Sequence, residues 1–446
     1  MNAPDPGFLA ARWAAEPKSA EAVVWRGRTW TYRELATARA RWATRLAALE
    51  PDGAVGLRAD FAPDALAALV ALAELRRVVV PLPEPPDPGE EARLVLAGAR
   101  YLVSGTEVTD RGPARARPPL YRELDRRGHA GLVVFTSGST SAPKGIVHDL
   151  DWQLAKFGTR RAPLRTIAFL LFDHLGGLNT ALHTLSSGGA LIVPASRRPD
   201  DVCAAVARHR AELVPATPTF LNLLLASGAH RRHDLGSLRV ISYGAEPMPA
   251  RTLARIREAF PGVELRQTYG LAEVGVLRVR PRADGSLWMR IGGERLETRV
   301  VEGTLHLRGP ALMLGYLDGG TPMREDGWLD TGDAVEVDGD EIRVLGRRTD
   351  LVKVAGHLVS PVEVEAVIEE VRGVAAAAVT AEPNPLVGSL LVARIQLGPE
   401  VSASDVASRV RRHCADRLPR VQVPARIVVV DEDLHGERFK KRRRPA

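Results

Sequence analysis

Residues 131–145, GLVVFTSGSTSAPKG, join a run of apolar residues to a loop of Gly, Ser and Thr that ends in a lysine. The apolar run predicts a strand, and the loop after it offers N–H groups and hydroxyls that can bind phosphate oxygens. The P-loop motif, G-x-x-x-x-G-K-[ST], does not fit, because Pro143 stands where it has glycine and Gly145 where it has Ser or Thr. Proline also removes an N–H that a P-loop needs. The stretch is therefore another kind of phosphate loop or a plain turn.

The pattern around this stretch predicts an α/β fold. Between Gly131 and Val279 short apolar runs alternate with segments of helical spacing, which indicates parallel sheets covered on both faces. From Ser286 to Gly346 short strands and glycine turns predict a β-rich subdomain. After Thr349 the order helix, strand, strand, helix, strand predicts a small α+β domain. We predict a large N-terminal domain over 1–348, with parallel-rich sheets flanked by helices, and a C-terminal domain over 349–446. The strands expected in the first part include GLVVF, TIAFLLF, ALIVP, AELVPA and LRVISYG.

Composition excludes several classes of protein. No apolar run approaches the about 18–20 residues that span a bilayer, and the first residues lack a secretory signal. The 2 cysteines, Cys203 and Cys414, are too few for a disulfide framework or a metal site of their own. We expect a cytoplasmic protein without a membrane span. Much of the net charge of +7 lies in the last nine residues, the basic tail RFKKRRRPA (438–446). This tail is either a solvated terminus or a contact for an anionic partner, and nucleic acid is not expected because aromatic residues do not interleave the basic ones.

Five segments resemble, in order, the motifs of adenylate-forming enzymes, the superfamily of acyl- and aryl-CoA synthetases, amino-acid adenylation domains and luciferases. They are TSGSTSAPKG (136–145), SYGAEPM (242–248), QTYGLAEVG (267–275), GWLDTGDAVEVDG (327–339) and LGRRTDLVKVAGHLVSPVEVEAVI (345–368). The resemblance covers nearly the whole chain. It implies that a carboxylic acid attacks the α-phosphorus of ATP to form an acyl-adenylate, and that a thiol then displaces AMP. The implied acceptor is CoA or the phosphopantetheine of an acyl or peptidyl carrier protein. The implied C-terminal domain is a mobile lid.

The resemblance also implies roles for single residues. The phosphate loop would hold the β- and γ-phosphates, the segment after Tyr243 would line the adenine pocket, Tyr269 would stack on adenine, and Asp333 would accept both ribose hydroxyls. The ATP-binding set carried over in this way is Thr136, Ser137, Gly138, Ser139, Thr140, Lys144, Gly244, Ala245, Glu246, Gln267, Thr268, Tyr269, Gly270, Asp333 and Arg347.

The resemblance also assigns a metal ligand, a hinge residue and a catalytic lysine. Glu273 is the expected Mg²⁺ ligand, since a hard cation that bridges phosphates prefers carboxylate oxygen. Thr349 occupies the hinge position, where the family more commonly has Asp or Lys. The catalytic lysine of the C-terminal domain is expected at Lys440, with Lys441 second. Ala272 departs from the threonine that most members carry before the glutamate.

The acid-binding side is expected at Asp173, His174 and Gly270. His174 matches the position of an aromatic or His gate in many CoA ligases, although a lone buried His is more often a core residue. Asp173 lies close to the position of the amine-binding aspartate in amino-acid adenylation domains. Three functions are therefore open: an aryl- or acyl-activating ligase, an enzyme that loads an amino acid onto a carrier protein, and a nucleotide-binding homologue without turnover. A nucleic-acid binder is the fourth and least supported.

Overall fold

The computed structural model describes residues 5–113, 117–136, 144–292, 295–320, 322–384, 388–398, 405–432 and 434. Helices α1 to α13 are, in chain order, Phe8–Ala15, Tyr32–Ala47, Pro63–Glu74, Glu90–Leu96, Tyr121–Arg127, Leu150–Ala155, Leu175–Ser186, Pro199–His209, Pro218–Ser227, Ala229–Arg232, Ala250–Ala259, Pro361–Ile368 and Val406–Ala415. A 3₁₀ turn spans Arg420–Gln422.

Strands β1 to β26 are, in chain order, Glu21–Trp25, Arg28–Thr31, Ala54–Arg58, Val78–Leu82, Ala99–Ser104, Glu107–Asp110, Gly131–Thr136, Lys144–Asp149, Arg165–Ile167, Ala190–Ile192, Leu213–Ala216, Val240–Tyr243, Glu264–Gln267, Tyr269–Leu271, Gly275–Pro281, Met289–Gly292, Glu297–Val301, Thr304–Arg308, Gly315–Tyr316, Leu329–Asp338, Glu341–Arg347, Val352–Val354, His357–Val359, Val374–Asn384, Gly388–Leu397 and Arg426–Val430.

The strands form three large sheets and two small ones. The first sheet has the order β13-β12-β11-β9-β10-β1-β2, in which only the β1–β2 pair is antiparallel. The second has the order β19-β8-β7-β4-β3-β5-β6 with parallel β7, β4, β3 and β5 at its centre. The third, β14-β15-β16-β21-β20-β18-β17, is antiparallel. The predicted fold class, parallel-rich sheets with helices plus a β-rich subdomain and a small α+β part, is confirmed.

Burial explains why the central strands are continuous apolar runs. All residues of β4, β10 and β11 are buried, as expected where helices cover both faces of a parallel sheet. One core joins the second and third sheets through α2, α3 and α7, and a second core packs α8, α9 and α11 on the first sheet. A separate core holds β24–β26 with α12 and α13. Among the described residues no helix is long and apolar enough to cross a membrane.

The segment TIAFLLF was predicted to be one strand, but β9 ends at Ile167. Beyond it the chain leaves the sheet as a buried loop that aromatic side chains anchor. The ring of Phe169 lies 4.2 Å from that of Phe220, and the ring of Phe172 lies 5.6 Å from that of Phe61. The apolar run therefore reflects burial rather than strand pairing. This loop delivers Asp173 and His174 to the start of α7.

The C-terminal part docks on α9 and α11 through polar contacts. The Arg251 guanidinium lies 3.1 Å from the Glu370 carboxylate, and the Asn222 amide donates to Glu369 at 3.2 Å. Glu370 also lies 3.0 Å from Nε2 of His413 on α13. The predicted domain boundary between residues 348 and 349 stays a prediction.

Two glycines at the start of α7 allow a testable comparison. A Cβ at Gly177 would lie 1.9 Å from the backbone oxygen of Leu171, whereas a Cβ at Gly176 would meet the end of the Leu170 side chain at 2.8 Å. Backbone cannot yield as a side chain does, so we expect Gly177→Ala to destabilise the protein by about 1–3 kcal/mol or more and Gly176→Ala by less. Thermal unfolding of both variants measures this order. Equal melting temperatures would contradict this account of the loop.

Candidate functional site

The larger of two neighbouring clefts lies at the carboxyl ends of the parallel strands β11, β12 and β13. Its volume is about 500 Å³. Clefts at this end of a parallel sheet are common ligand sites, because the loops that follow the strands diverge there. The cleft is lined by residues from five segments, 218–222, 243–249, 267–271, 344–351 and 360–365, although not by every residue of each.

The loop after β12 supplies one wall of this cleft. Ala245 has a left-handed backbone with φ +67°, and Glu246 accepts hydrogen bonds from the backbone N–H and hydroxyl of Thr219 at 3.2 and 2.7 Å. Thr268 donates its N–H and its hydroxyl to the Tyr243 carbonyl at 2.8 and 3.0 Å. A Cβ at Gly244 would lie 2.2 Å from the Thr268 hydroxyl. The close approach of these two loops therefore requires glycine at position 244.

A buried contact joins Tyr269 to Asp333. The Tyr269 hydroxyl donates to Oδ2 of Asp333 at 2.7 Å, and Nε of Arg347 lies 3.3 Å from Oδ1. Burial raises the pKa of both groups above their ordinary values, and the Arg347 charge opposes the rise at Asp333. The Arg347 guanidinium also donates to the Thr331 carbonyl. Asp333 is thus held as an oriented acceptor at the cleft wall, 5% exposed.

The second cleft, about 340 Å³, adjoins the first. Residues of β14 (Tyr269–Leu271) line both, together with Gly244, Ala245, Thr268 and Arg347. On its other side lie Thr136, Asp173, His174 and Asn179. A Cβ at Gly270 would come within 2.5 Å of the Gly275 carbonyl, so glycine is needed where the two clefts meet.

Asp173 and His174 stand together at this second cleft. His174 is the N-cap of α7, and its Nδ1 accepts a hydrogen bond from the Gly176 N–H at 3.1 Å. In the neutral ring the proton therefore sits on Nε2. Asp173 is 7% exposed. Both residues predicted for the acid-binding side line the same wall, and their roles stay a prediction.

Thr136 and Lys144 face each other as paired residues at the ends of β7 and β8. The Lys144 ammonium lies 5.6 Å from the ring centre of Tyr316, whose hydroxyl donates to Glu273 at 2.9 Å. These contacts gather a cation and a carboxylate at the edge of the second cleft. Among the described residues no group of three or more His, Cys, Asp or Glu could hold a metal ion by itself. The role of Glu273 as a ligand of Mg²⁺ therefore stays a prediction.

The other predicted residues are placed as follows. Gln267 is buried at the end of β13, and Thr349 lies exposed in the turn after β21, where its hydroxyl donates to Asp350 at 3.3 Å. Six predicted residues lie outside the described residues: Ser137, Gly138, Ser139, Thr140, Lys440 and Lys441.

Sequence reasoning did not identify His148. This fully buried ring lies 2.7 Å from the carbonyl of Ala272 through Nε2, and its Nδ1 is 3.4 Å from the Gln153 amide. Burial lowers its pKa to about 4, so the ring is neutral and donates from Nε2. His148 thereby fixes the backbone of Ala272, the residue before Glu273. The position of Ala272 rests on this backbone contact rather than on its own side chain.

His148 makes stability depend on pH. The folded pKa of about 4 lies below the ordinary 6.5, so the unfolded chain binds a proton first as the pH falls. Stability is complete above pH 6.5 and decreases by up to about 3 kcal/mol as the pH falls toward 4. We expect His148→Gln to flatten the dependence of melting temperature on pH in this range. The exposed His357→Gln is the control, and equal slopes for both variants would contradict the assignment.

Comparisons with known proteins agree with this geometry. The sequence profile described as AMP-binding enzyme matches residues 10–317, and that of the AMP-binding enzyme C-terminal domain matches residues 363–440. Feruloyl-CoA synthase from Amycolatopsis sp is 30% identical over 430 residues, which cover 86% of this chain and 87% of that protein.

Two further likenesses have a lower sequence identity. A probable CoA ligase, CCL5 of Humulus lupulus, is 27% identical over 69% of this chain, which spans only 62% of that relative's length. The crystal structure of the anthranilate CoA ligase AuaEII in complex with anthranoyl-AMP superimposes with a TM-score of 0.80 at 22% identity, over 99% of this chain and 96% of that one. At this identity the likeness shows the shared fold.

Proposed function

This chain belongs to the AMP-binding enzyme family, and from that premise we propose that it activates an organic acid with ATP and transfers the acyl group to CoA. One observation carries the proposal: strand β14 forms a wall of both clefts, so a nucleotide in the larger cleft and an acid in the smaller one would meet beside Gly270. Relatives whose names state a CoA ligase activity support the reaction class.

In the first half-reaction an oxygen of the carboxylate attacks the α-phosphorus, and the bond from that phosphorus to the bridging oxygen breaks to release pyrophosphate. Asp333 accepts the ribose hydroxyls, and Gly244, Ala245 and Tyr269 enclose adenine. Thr136 and Lys144 bind the outer phosphates beside residues 137–140. These are donors and cations aimed at charge that develops during the reaction.

Mg²⁺ would be held by Glu273, and when bound it neutralises phosphate charge. The acid binds beside Asp173 and His174, and the His174 N–H at Nε2 is oriented by the hydrogen bond at Nδ1. In the second half-reaction the CoA thiol attacks the acyl carbonyl and AMP leaves. A carrier-protein phosphopantetheine is the finer alternative acceptor. The location in the cytoplasm stays a prediction from the sequence.

Competing functions give different outcomes. An amino-acid-activating enzyme would use Asp173 to bind an amine, and it would show pyrophosphate exchange with amino acids only. A homologue without turnover, suggested by Ala272 and Thr349, would bind ATP without exchange. We test these with ATP–pyrophosphate exchange across aryl, fatty and amino acids, followed by thioester formation with CoA. Absence of exchange with every acid would overturn the proposal.

Asp333 offers a site-specific test. Asp333→Asn removes the charged acceptor, and a hydrogen bond to a charged group contributes about 1.5–3 kcal/mol, so we expect a roughly 10- to 100-fold weaker apparent affinity for ATP. Asp338→Asn is the control, because Asp338 is the last residue of β20 and forms an ion pair with Arg282 at the surface, at 2.6 Å. The measurement is the KM for ATP in the exchange assay. An equal effect of the two variants would contradict the role of Asp333.

The basic tail gives a second test. Lys440 is proposed to bridge the carboxylate and the α-phosphate, and loss of one such donor costs about 100-fold in rate. We expect Lys440→Ala to lose exchange at this scale while it still forms thioester from a supplied acyl-adenylate, with Lys441→Ala as the matched control. Removal of residues 438–446 tests the tail as an anion contact. Unchanged exchange together with lost nucleic-acid binding would reject the catalytic role.

A further inference from the structure

A small cavity beside the acid cleft is lined by a lysine. Leu175, Asn179 and Gly275 line both the second cleft and this extension, so the two spaces adjoin. The extension has a volume of about 20 Å³, and apart from Gln153, Asn179 and Lys156 its lining is apolar, with leucines from α3, β7, α6 and α7. It therefore suits a single terminal group of a ligand, whereas an aromatic or aliphatic spacer would lie in the second cleft of about 340 Å³.

Lys156 follows directly after α6, and its ammonium donates to the carbonyl of Val276 at 3.2 Å. The ring centre of Phe157 lies 5.3 Å away. An ammonium has three N–H donors, and within the described part of the chain the Val276 carbonyl is the one hydrogen-bond acceptor of Lys156, which forms no ion pair there. Two donors are thus available to a ligand. Buried ammonium groups are normally paired, because an isolated charge is costly to remove from water.

Among the described residues, the charged groups that act on His183, beside this cavity, are basic. His183 of α7 packs against Phe157 at 6.4 Å, and positive charge from Arg266, Arg161, Lys156 and Arg278 lowers its pKa in addition to burial. Asn179 places an amide in the same wall, for which the described residues supply no hydrogen bond. A cation, an amide donor and a positive surround match a carboxylate better than a neutral group.

We propose that the acid this chain activates is a dicarboxylic acid with an apolar spacer, whose far carboxylate pairs with Lys156 and Asn179 while its near carboxylate reacts. The inference rests on the proposed function, because the reacting end is placed by the acid cleft. It names Lys156 as a specificity residue in addition to Asp173 and His174. A mono-acid would contact the same apolar residues but would leave the Lys156 ammonium without a counter-ion.

Burial gives the pairing a pH dependence. It lowers the pKa of Lys156 to about 7, so the amine loses its proton above that pH unless an anion holds it. Affinity for a dicarboxylate should therefore fall as the pH rises from 7 to 9, and affinity for a mono-acid should not. His183 titrates below its ordinary pKa and so outside this window.

The experiment is calorimetric titration of the full chain with terephthalate, 4-carboxycinnamate and suberate, each beside the monoamide that replaces its far carboxylate. The variants are Lys156→Met and, as the control, Lys18→Met, which removes an exposed lysine. We expect the wild type to bind at least one diacid ten-fold or more tightly than its monoamide. Lys156→Met should abolish that preference and leave the monoamides unchanged, and Lys18→Met should behave as the wild type.

Stability separates recognition from misfolding. The folded pKa of Lys156 lies below its ordinary 10.5, so its charge opposes folding below pH 7 and this opposition is relieved as the pH rises toward 10.5. Lys156→Met should therefore melt at an equal or higher temperature than the wild type at pH 6. A lower melting temperature would mean that the lysine is structural and would overturn the proposal.

The two proposals fail in different ways. If no diacid binds more tightly than its monoamide, or if Lys156→Met weakens all acids equally, Lys156 does not recognise a carboxylate. If diacids bind through Lys156 but no acid supports pyrophosphate exchange, the substrate subsite stands and the activity proposed above fails. Exchange with mono-acids alone, unaffected by Lys156→Met, supports the activity and rejects the subsite.

Discussion

The buried hydrogen bond from Tyr269 to Asp333 is the constraint on which the site depends. Tyr269 begins β14 at the edge of the third, antiparallel sheet, and Asp333 lies on β20 of the same sheet. Their contact at 2.7 Å joins these two non-adjacent strands beside the larger cleft, at the point where the chain enters the third sheet after β13 of the first. A buried acceptor without a donor would cost about 1–3 kcal/mol, so this pairing holds the Asp333 carboxylate in place at the cleft wall. Arg347 contacts the other oxygen of the same carboxylate.

The sequence predicts those parts of the site that depend on strand ends. Thr136 ends the apolar run of β7 and Gly244 follows the apolar run of β12, and ligand sites are common where loops leave the carboxyl ends of parallel strands. The residues 166–172 show the limit of this reasoning. Their apolar run is as continuous as that of a strand, but its aromatic rings fill gaps between helices, and periodicity alone does not separate the two cases.

Lys156 and His148 could not have been assigned from their own surroundings in the sequence. Lys156 directly follows α6, and its significance arises because α6, α7 and β15 converge on one narrow cavity. His148 is separated from Ala272 by 124 positions in the chain. Both roles depend on desolvation, which is a property of the packed structure and has no local pattern. A basic side chain within an otherwise apolar segment is the one signal that the sequence offers.

The two buried bases respond to burial in opposite ways, and this difference separates structure from recognition. His148 loses its charge and keeps a hydrogen bond to Ala272, so the protein itself offsets the cost of burying the imidazole ring. Lys156 donates to a single carbonyl, and neutralisation would leave its remaining donors still unsatisfied. A cavity that opens onto such a group gains more from an anionic ligand than from an apolar one. Desolvation therefore has two different consequences. It leaves His148 neutral, so that it supports the backbone beside Glu273, and it leaves Lys156 with donors that select an anionic group of the acid.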